Sequence, residues 1–259
     1  MSAQSASSNP AQSEFLKSPW RRAIGPPWLV ALLLMTLLGA ARFFAIFSSY
    51  QAQPIFFFQY AVTWMVPFIF LTSYGRNQIG LREQGTNPLS MALGALAGAL
   101  YALAVFAIGM VLYGGSGDNW DVSLRDYLRL IELRGVLPPG VVFAIFGVPA
   151  ILFAPIGDEI LFRGFIQETF ARRWNPIVAT LVNCVTFGLT YLYFHAIWQD
   201  SGGVHLRLVS GALAMILFIG AGLVFTLCRS VSGSLWSAVA AHAAFNLTML
   251  GAAILYYMR

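Results

Sequence analysis

The sequence predicts an all-α, polytopic membrane protein, a bundle of about seven to eight transmembrane helices. Three observations carry that expectation. First, 58% of the 259 residues are hydrophobic and 10% are Asp, Glu, Lys or Arg, against about 25% charged residues in an ordinary soluble domain. Second, apolar runs of about 20 residues, the length that crosses a bilayer core, recur along most of the chain. Third, the basic residues behind the formal net charge of +5 sit mostly at the ends of those runs. Membrane orientation accounts for that placement better than a nucleic-acid partner does, and none is expected.

The elements follow in order. Residues 1–22 open with a stretch rich in Ser, Ala and Gln and are expected as a disordered cytoplasmic tail. Residues 23–137 hold the first spans, at 27–49, 55–74 and 88–113, and then a loop. In that loop Ser123, with Asp126 three residues on, reads as a helix start. Leu124, Leu128 and Ile131 would share one face of a short helix on the membrane surface; a plain connector is the alternative. Residues 138–259 hold four further runs, at 138–162, 176–198, 207–228 and 233–257. The first of these continues unbroken through Arg163 to Arg173, and Pro149 and Pro155 are expected to kink it. Cys184 and Cys228 lie inside apolar runs without metal-ligand spacing and read as small packing residues.

With the N-terminus inside, the cytoplasmic segments hold Lys17, Arg21, Arg22, Arg76, Arg82, Arg163, Arg172, Arg173 and Arg229. The outer ones hold Arg125, Arg129, Arg134, Arg207 and Arg259, which makes nine basic residues against five. The expected location is therefore the cell membrane, multi-pass, with a cytoplasmic N-terminus. An eighth span would move the C-terminus to the other side.

Ionisable groups at membrane depth are costly and mark functional sites. Three patches qualify. In the first, Gly157-Asp158-Glu159-Ile160-Leu161-Phe162-Arg163-Gly164, the acid of Glu159 precedes Arg163 by four residues, the favourable order for a helical pair. Asp158 is then left to take a proton from water, as a general base must; a buried charge network of all three is the alternative. In the third, His242-Ala243-Ala244-Phe245-Asn246, imidazole and amide share a helical face; they suit either oxyanion stabilisation or bonding between helices. The second patch runs from Phe187 through Tyr191 to His195. His205 reads as surface.

These patches, in this order, resemble the CPBP family, which comprises CAAX prenyl proteases and bacteriocin-processing or immunity-type proteins. The family pattern is Glu-Glu-x-x-x-Arg, then Phe-x-x-x-His, then His-x-x-x-Asn or an acidic variant. The resemblance spans roughly residues 138–250, including the lead-in Gly233-Ser234-Leu235-Trp236-Ser237-Ala238. It implies that residues 138–259 form a catalytic-type core. Asp158 stands where the family has its first, water-activating Glu. Phe187 is followed four residues later by Tyr191 rather than His; an aromatic-x-x-x-His recurs one turn on, at Tyr191 to His195. On straight helices Glu159 lies about 20 Å from Arg172, and His242 about 14 Å from Gly233. Tyr191 lies about 23 Å from Pro176 and His195 about 29 Å, which makes Tyr191 the better level match.

The resemblance implies an intramembrane endopeptidase that hydrolyses a peptide bond of a membrane-associated protein or peptide. Its catalytic residues would be Asp158, Glu159, His195, His242 and Asn246, with Arg163 and Tyr191 supporting. No cofactor is expected. The zinc alternative would use Glu159, His195 and His242, although nothing here resembles His-Glu-x-x-His. The competing reading is a catalytically degenerate relative that binds or protects a membrane partner. A transporter ranks last, because polar residues do not recur in matching halves.

Overall fold

The computed structural model describes residues 15–47, 54–81, 87–124, 141, 143–200 and 203–257. They form α1 (Ser18–Ala23), α2 (Pro27–Phe47), α3 (Pro54–Phe70), α4 (Ser73–Gln78) and α5 (Pro88–Tyr113). A long helical stretch, α6 (143–173), follows, then α7 (Pro176–His195), a hairpin of β1 (Ile197–Asp200) and β2 (Gly203–Leu206), α8 (Leu208–Ser232) and α9 (Leu235–Tyr257). Helices α5 and α8 and residues Leu235–Leu255 of α9 are long and apolar enough to cross a bilayer. Pro27–Ala41, Phe58–Phe70 and Pro176–Thr190 are shorter apolar helices.

The expected spans are present as helices, and caps mark several of their ends. Pro88 stands at the first turn of α5 and Asn87 caps it through Leu89 N–H. Asn175 caps α7 through Val178 N–H. Gly233, at φ 68°, closes α8 in the left-handed conformation that a side chain would strain.

Helix α5 shows why the bundle needs lipid. Leu89, Leu93, Leu96, Leu100 and Leu103 all lie exposed on its outer face, a stripe that water would penalise. Gly94, Gly98 and Ala102 form its buried face. A methyl on Gly98 would collide with the carbonyl of Ala241 on α9, so the two backbones touch only because no side chain intervenes. Gly157 does the same for α6 against Thr63 and Trp64 of α3, which seats the next two residues, Asp158 and Glu159, inside the bundle.

Three features differ from expectation. The stretch read as a disordered tail through residue 22 is ordered from Phe15 onward. Phe15 and Leu16 are buried, Leu16 bridges Leu71, and Trp20 Nε1 donates to the Ile69 carbonyl. Two apolar residues ahead of the basic α1 anchor it, which average composition conceals. The connection after α7 is not helical but a β-ribbon, with Ile197 paired to Leu206 and Asp200 to Gly203. Finally, helix starts at Trp120, not Ser123: Asn119 Oδ1 accepts from Asp121 N–H at 3.0 Å. The proposed surface helix beyond residue 124 lies outside the described residues.

Two polar clusters and a candidate active site

Helix α6 carries three wider turns, the first two beside its prolines. Phe143–Gly147, Pro149–Phe153 and Ile160–Ile166 are π-helical, with α-helix at Ala154–Glu159 and Gln167–Arg173. A proline withdraws an N–H from the ladder, and local π turns accommodate the freed carbonyls. π turns also re-aim side chains and recur at functional sites. Glu159 is the last α residue before the third wide turn and Arg163 lies within it.

There the first and third patches meet. Glu159 Oε1 accepts from Arg163 Nη1 at 3.0 Å and lies 2.8 Å from His242 Nδ1, 83 residues away in sequence. All three side chains are 0% exposed. Glu159 Oε2 is also buried and has no hydrogen-bond partner among the described residues. His242 Nδ1 faces the Glu159 carboxyl, and in the tautomer that donates to it Nε2 is the acceptor nitrogen of the ring. Asp158, 3% exposed, is the next carboxyl back along the same helix.

The walls are aromatic. Phe225 stacks on the His242 ring at 4.8 Å and 16°, and Phe187 meets it edge-on at 5.4 Å and 85°. The Arg163 guanidinium lies 4.3 Å above the Phe187 ring centre and 5.2 Å from that of Phe225, a cation–π arrangement strengthened by desolvation. Its Nη2 donates to the Gly222 carbonyl at 3.0 Å, which also accepts from Thr226 Oγ1. Gly222 itself leaves the room: a methyl there would lie 3.1 Å from Arg163 Nη2. Arg229 Nη1 in turn donates to the Arg163 carbonyl. Asn183 Nδ2 bridges Gln167 Oε1 and Thr226 Oγ1, each at 3.1 Å.

Phe225, Gly222 and Thr226 were missed in the sequence. A phenylalanine or glycine in an apolar helix carries no signal of its own, and α8 holds no ionisable group at that level to draw attention.

His195 lies elsewhere. Its Nδ1 is 2.9 Å from Ser123 Oγ and its Nε2 3.0 Å from Ser210 Oγ, with Trp120 edge-on at 6.1 Å. Arg207 Nη1 donates to Ser123 Oγ at 2.9 Å, and Ser210 Oγ reaches Asp118 Oδ1 at 3.5 Å. Helix α8 gives a ruler: from Ser210, beside His195, to Gly222, beside Arg163, is about 18 Å at 1.5 Å per residue. On α7, the residue that touches His242 is Phe187, two turns before His195. The Tyr191 side chain, at the level favoured from the sequence, lies outside the described residues.

Asn246 shares the face of His242 as expected, but its Nδ2 donates to the Ala150 carbonyl of α6 at 2.8 Å. In this arrangement it fastens α9 to α6. Among the described residues no three His, Cys, Asp or Glu side chains gather as a metal-ligand set. The set considered for zinc is split, with Glu159 and His242 in one cluster and His195 in the other. A guanidinium already shares the Glu159 oxygen that faces His242, which does not suit a dication.

Residues 140–248 match the family model described as Type II CAAX prenyl endopeptidase Rce1-like. The matched stretch contains all three patches and agrees with the resemblance to the CPBP family. No curated protein and no solved structure matches the chain.

Proposed function

We propose that this protein is an intramembrane endopeptidase in which His242, oriented by Glu159, activates water against a peptide carbonyl of a membrane-associated protein or peptide. The coarse part, a protease-type membrane protein acting on protein, rests on the match over residues 140–248. The observation that carries the finer part is the 2.8 Å contact between Glu159 Oε1 and His242 Nδ1 inside the bundle.

The chemistry follows from that contact. A carboxylate bonded to one imidazole nitrogen fixes the tautomer and stabilises the imidazolium formed when the other nitrogen takes a proton. Nε2 would take the proton of the attacking water and return it to the leaving amine. Arg163 pairs with the buried Glu159 at 3.0 Å and holds its carboxyl in place. Asp158 is proposed as the second carboxyl of the site, in the position where the family has its first Glu. Asn246 could stabilise an oxyanion only after exchanging its bond to Ala150. No step requires a metal.

A second reading has a specific observation in its favour. Phe187 occupies the α7 position facing His242, and both ring nitrogens of His195 engage serines about two turns away. That pattern suits a relative which retains the buried frame and binds a membrane partner without cleaving it. Proteoliposomes with an internally quenched peptide, farnesylated or unmodified near its C-terminus, separate the two. The proteolytic reading expects cleavage that His242→Ala lowers by about 10²–10⁴-fold, the usual worth of a general base. Cleavage at the blank-vesicle rate by wild-type protein that holds the peptide would instead favour the binding reading.

A further inference from the structure

The end of the bundle where α1 meets α2 and α6 ends has a feature that proteolysis does not use. A cavity of about 310 Å³ opens there, lined by Pro26, Pro27, Trp28, Thr169, Arg172 and Arg173. Its volume is at the lower edge of the range for small-molecule sites, about 300–1,000 Å³. Trp28 and Trp174 meet edge-on at 5.6 Å beside it. Tryptophans at this position mark the headgroup level of a bilayer, and Pro27 is the first residue of the apolar α2, so the cavity lies where hydrocarbon gives way to water.

Among the described residues, basic side chains outnumber acidic ones at this end. Arg172 is held by Glu168 at 3.0 Å and by Gln78 Oε1 at 3.2 Å. Arg173 is exposed, lies 5.4 Å over the Trp174 ring, and makes no ion pair or hydrogen bond among the described residues. Arg21 and Arg22 lie on the exposed α1, a few residues before Pro26. Glu168 is the only acid described at this end. A guanidinium fork matches phosphate oxygens in geometry and charge. Basic pockets between membrane helices take up anionic lipid headgroups by the same chemistry.

We infer that this cavity binds the phosphate of an anionic phospholipid, with Arg173 as principal donor, Arg172 behind it and Trp28 against the glycerol and upper acyl region. A free phosphate would engage the same donors, but it would gain nothing from the tryptophan wall or from the apolar lip at Pro27. The proposal is independent of catalysis.

The test uses full-length protein in nanodiscs of phosphatidylcholine with or without phosphatidylglycerol. Native mass spectrometry reads the lipid retained after release, and thermal unfolding reads the stabilisation. Phosphatidylglycerol should be retained in preference to phosphatidylcholine and raise the unfolding midpoint, and inorganic phosphate should not substitute for it. Arg173→Gln, at an exposed position that leaves folding intact, should weaken retention about tenfold, as loss of one charge-assisted pair predicts. Arg22→Gln removes the same charge outside the cavity lining and should change retention about twofold at most. Equal retention of the two lipids would overturn the proposal. Equal loss in both variants would assign the effect to general surface charge. Stabilisation by inorganic phosphate matching that by the lipid would make this a free-anion site.

Discussion

The bundle buries two histidine-centred polar clusters about 18 Å apart along α8, and they are built on opposite principles. Around Glu159, Arg163 and His242 a full ion pair and an imidazole are sealed by Phe162, Phe187 and Phe225. Around His195 the partners are hydroxyls, Ser123 and Ser210, with Arg207 and Asp118 at the edge and partly exposed. The first arrangement buries an ion pair and joins an imidazole to it. The second occupies both nitrogens of its histidine and ties residues 118–123 to α7 and α8. A buried histidine is thus chemically informative only with its partners named.

The largest effect should come from unbalancing the inner cluster. Arg163→Met leaves the Glu159 carboxylate buried without its cation and should cost about 3–5 kcal/mol, read as a fall in the unfolding midpoint in detergent. The Glu159→Gln, Arg163→Met double variant should recover most of it. Arg207→Met in the outer cluster, where the pair with Asp118 is 3.9 Å long and partly solvated, should cost about 1 kcal/mol or less. Equal losses would erase the distinction.

Next in size is a pH effect confined to the outer end. Burial pushes the Asp121 carboxyl up from 3.8 to about 7, and neither of its oxygens has a hydrogen-bond partner among the described residues. The folded state holds this proton more tightly than the unfolded chain does. Its contribution to stability is therefore complete below about pH 3.8 and is lost as pH rises through 7. Asp121→Asn should gain stability over wild type at pH 8 and lose that advantage at pH 4, measured by thermal unfolding across pH. An unchanged pH profile would contradict the assignment.

Smaller effects probe the packing of each cluster. Gly222→Ala presses a methyl toward Arg163 Nη2 and should cost about 1–3 kcal/mol, with a parallel fall in activity. Ser123→Ala removes one hydroxyl partner of His195 and should cost about 1 kcal/mol with turnover unchanged.

Much of the fold was legible before any coordinates. The apolar runs at 88–113 and 176–198 set α5 and α7 to within a few residues by length and hydropathy alone, and the Asn87 and Asn175 caps went unread. Part of the inner cluster was legible as well: Glu159 and Arg163 lie one turn apart, and His242 stands out as an imidazole inside an apolar helix. His195 resisted for a physical reason. Periodicity tells which face a residue occupies, but its level depends on how α7 slides against α6 and α9, and that register is set by contacts such as Phe187 on His242. Residues 15–22 and the 197–206 hairpin were misread because each is short. Two buried side chains, or one pair of four-residue strands, leave little trace in composition.

The most direct test of the account is a paired comparison of turnover for His242→Ala and His195→Ala, each shown to fold and reconstituted into the same proteoliposomes with the quenched peptide. The account predicts a loss of at least about 100-fold for the first and less than about threefold for the second, whose histidine serves an outer hydrogen-bonded cluster. The reverse ranking, with His195 essential and His242 dispensable, would contradict it.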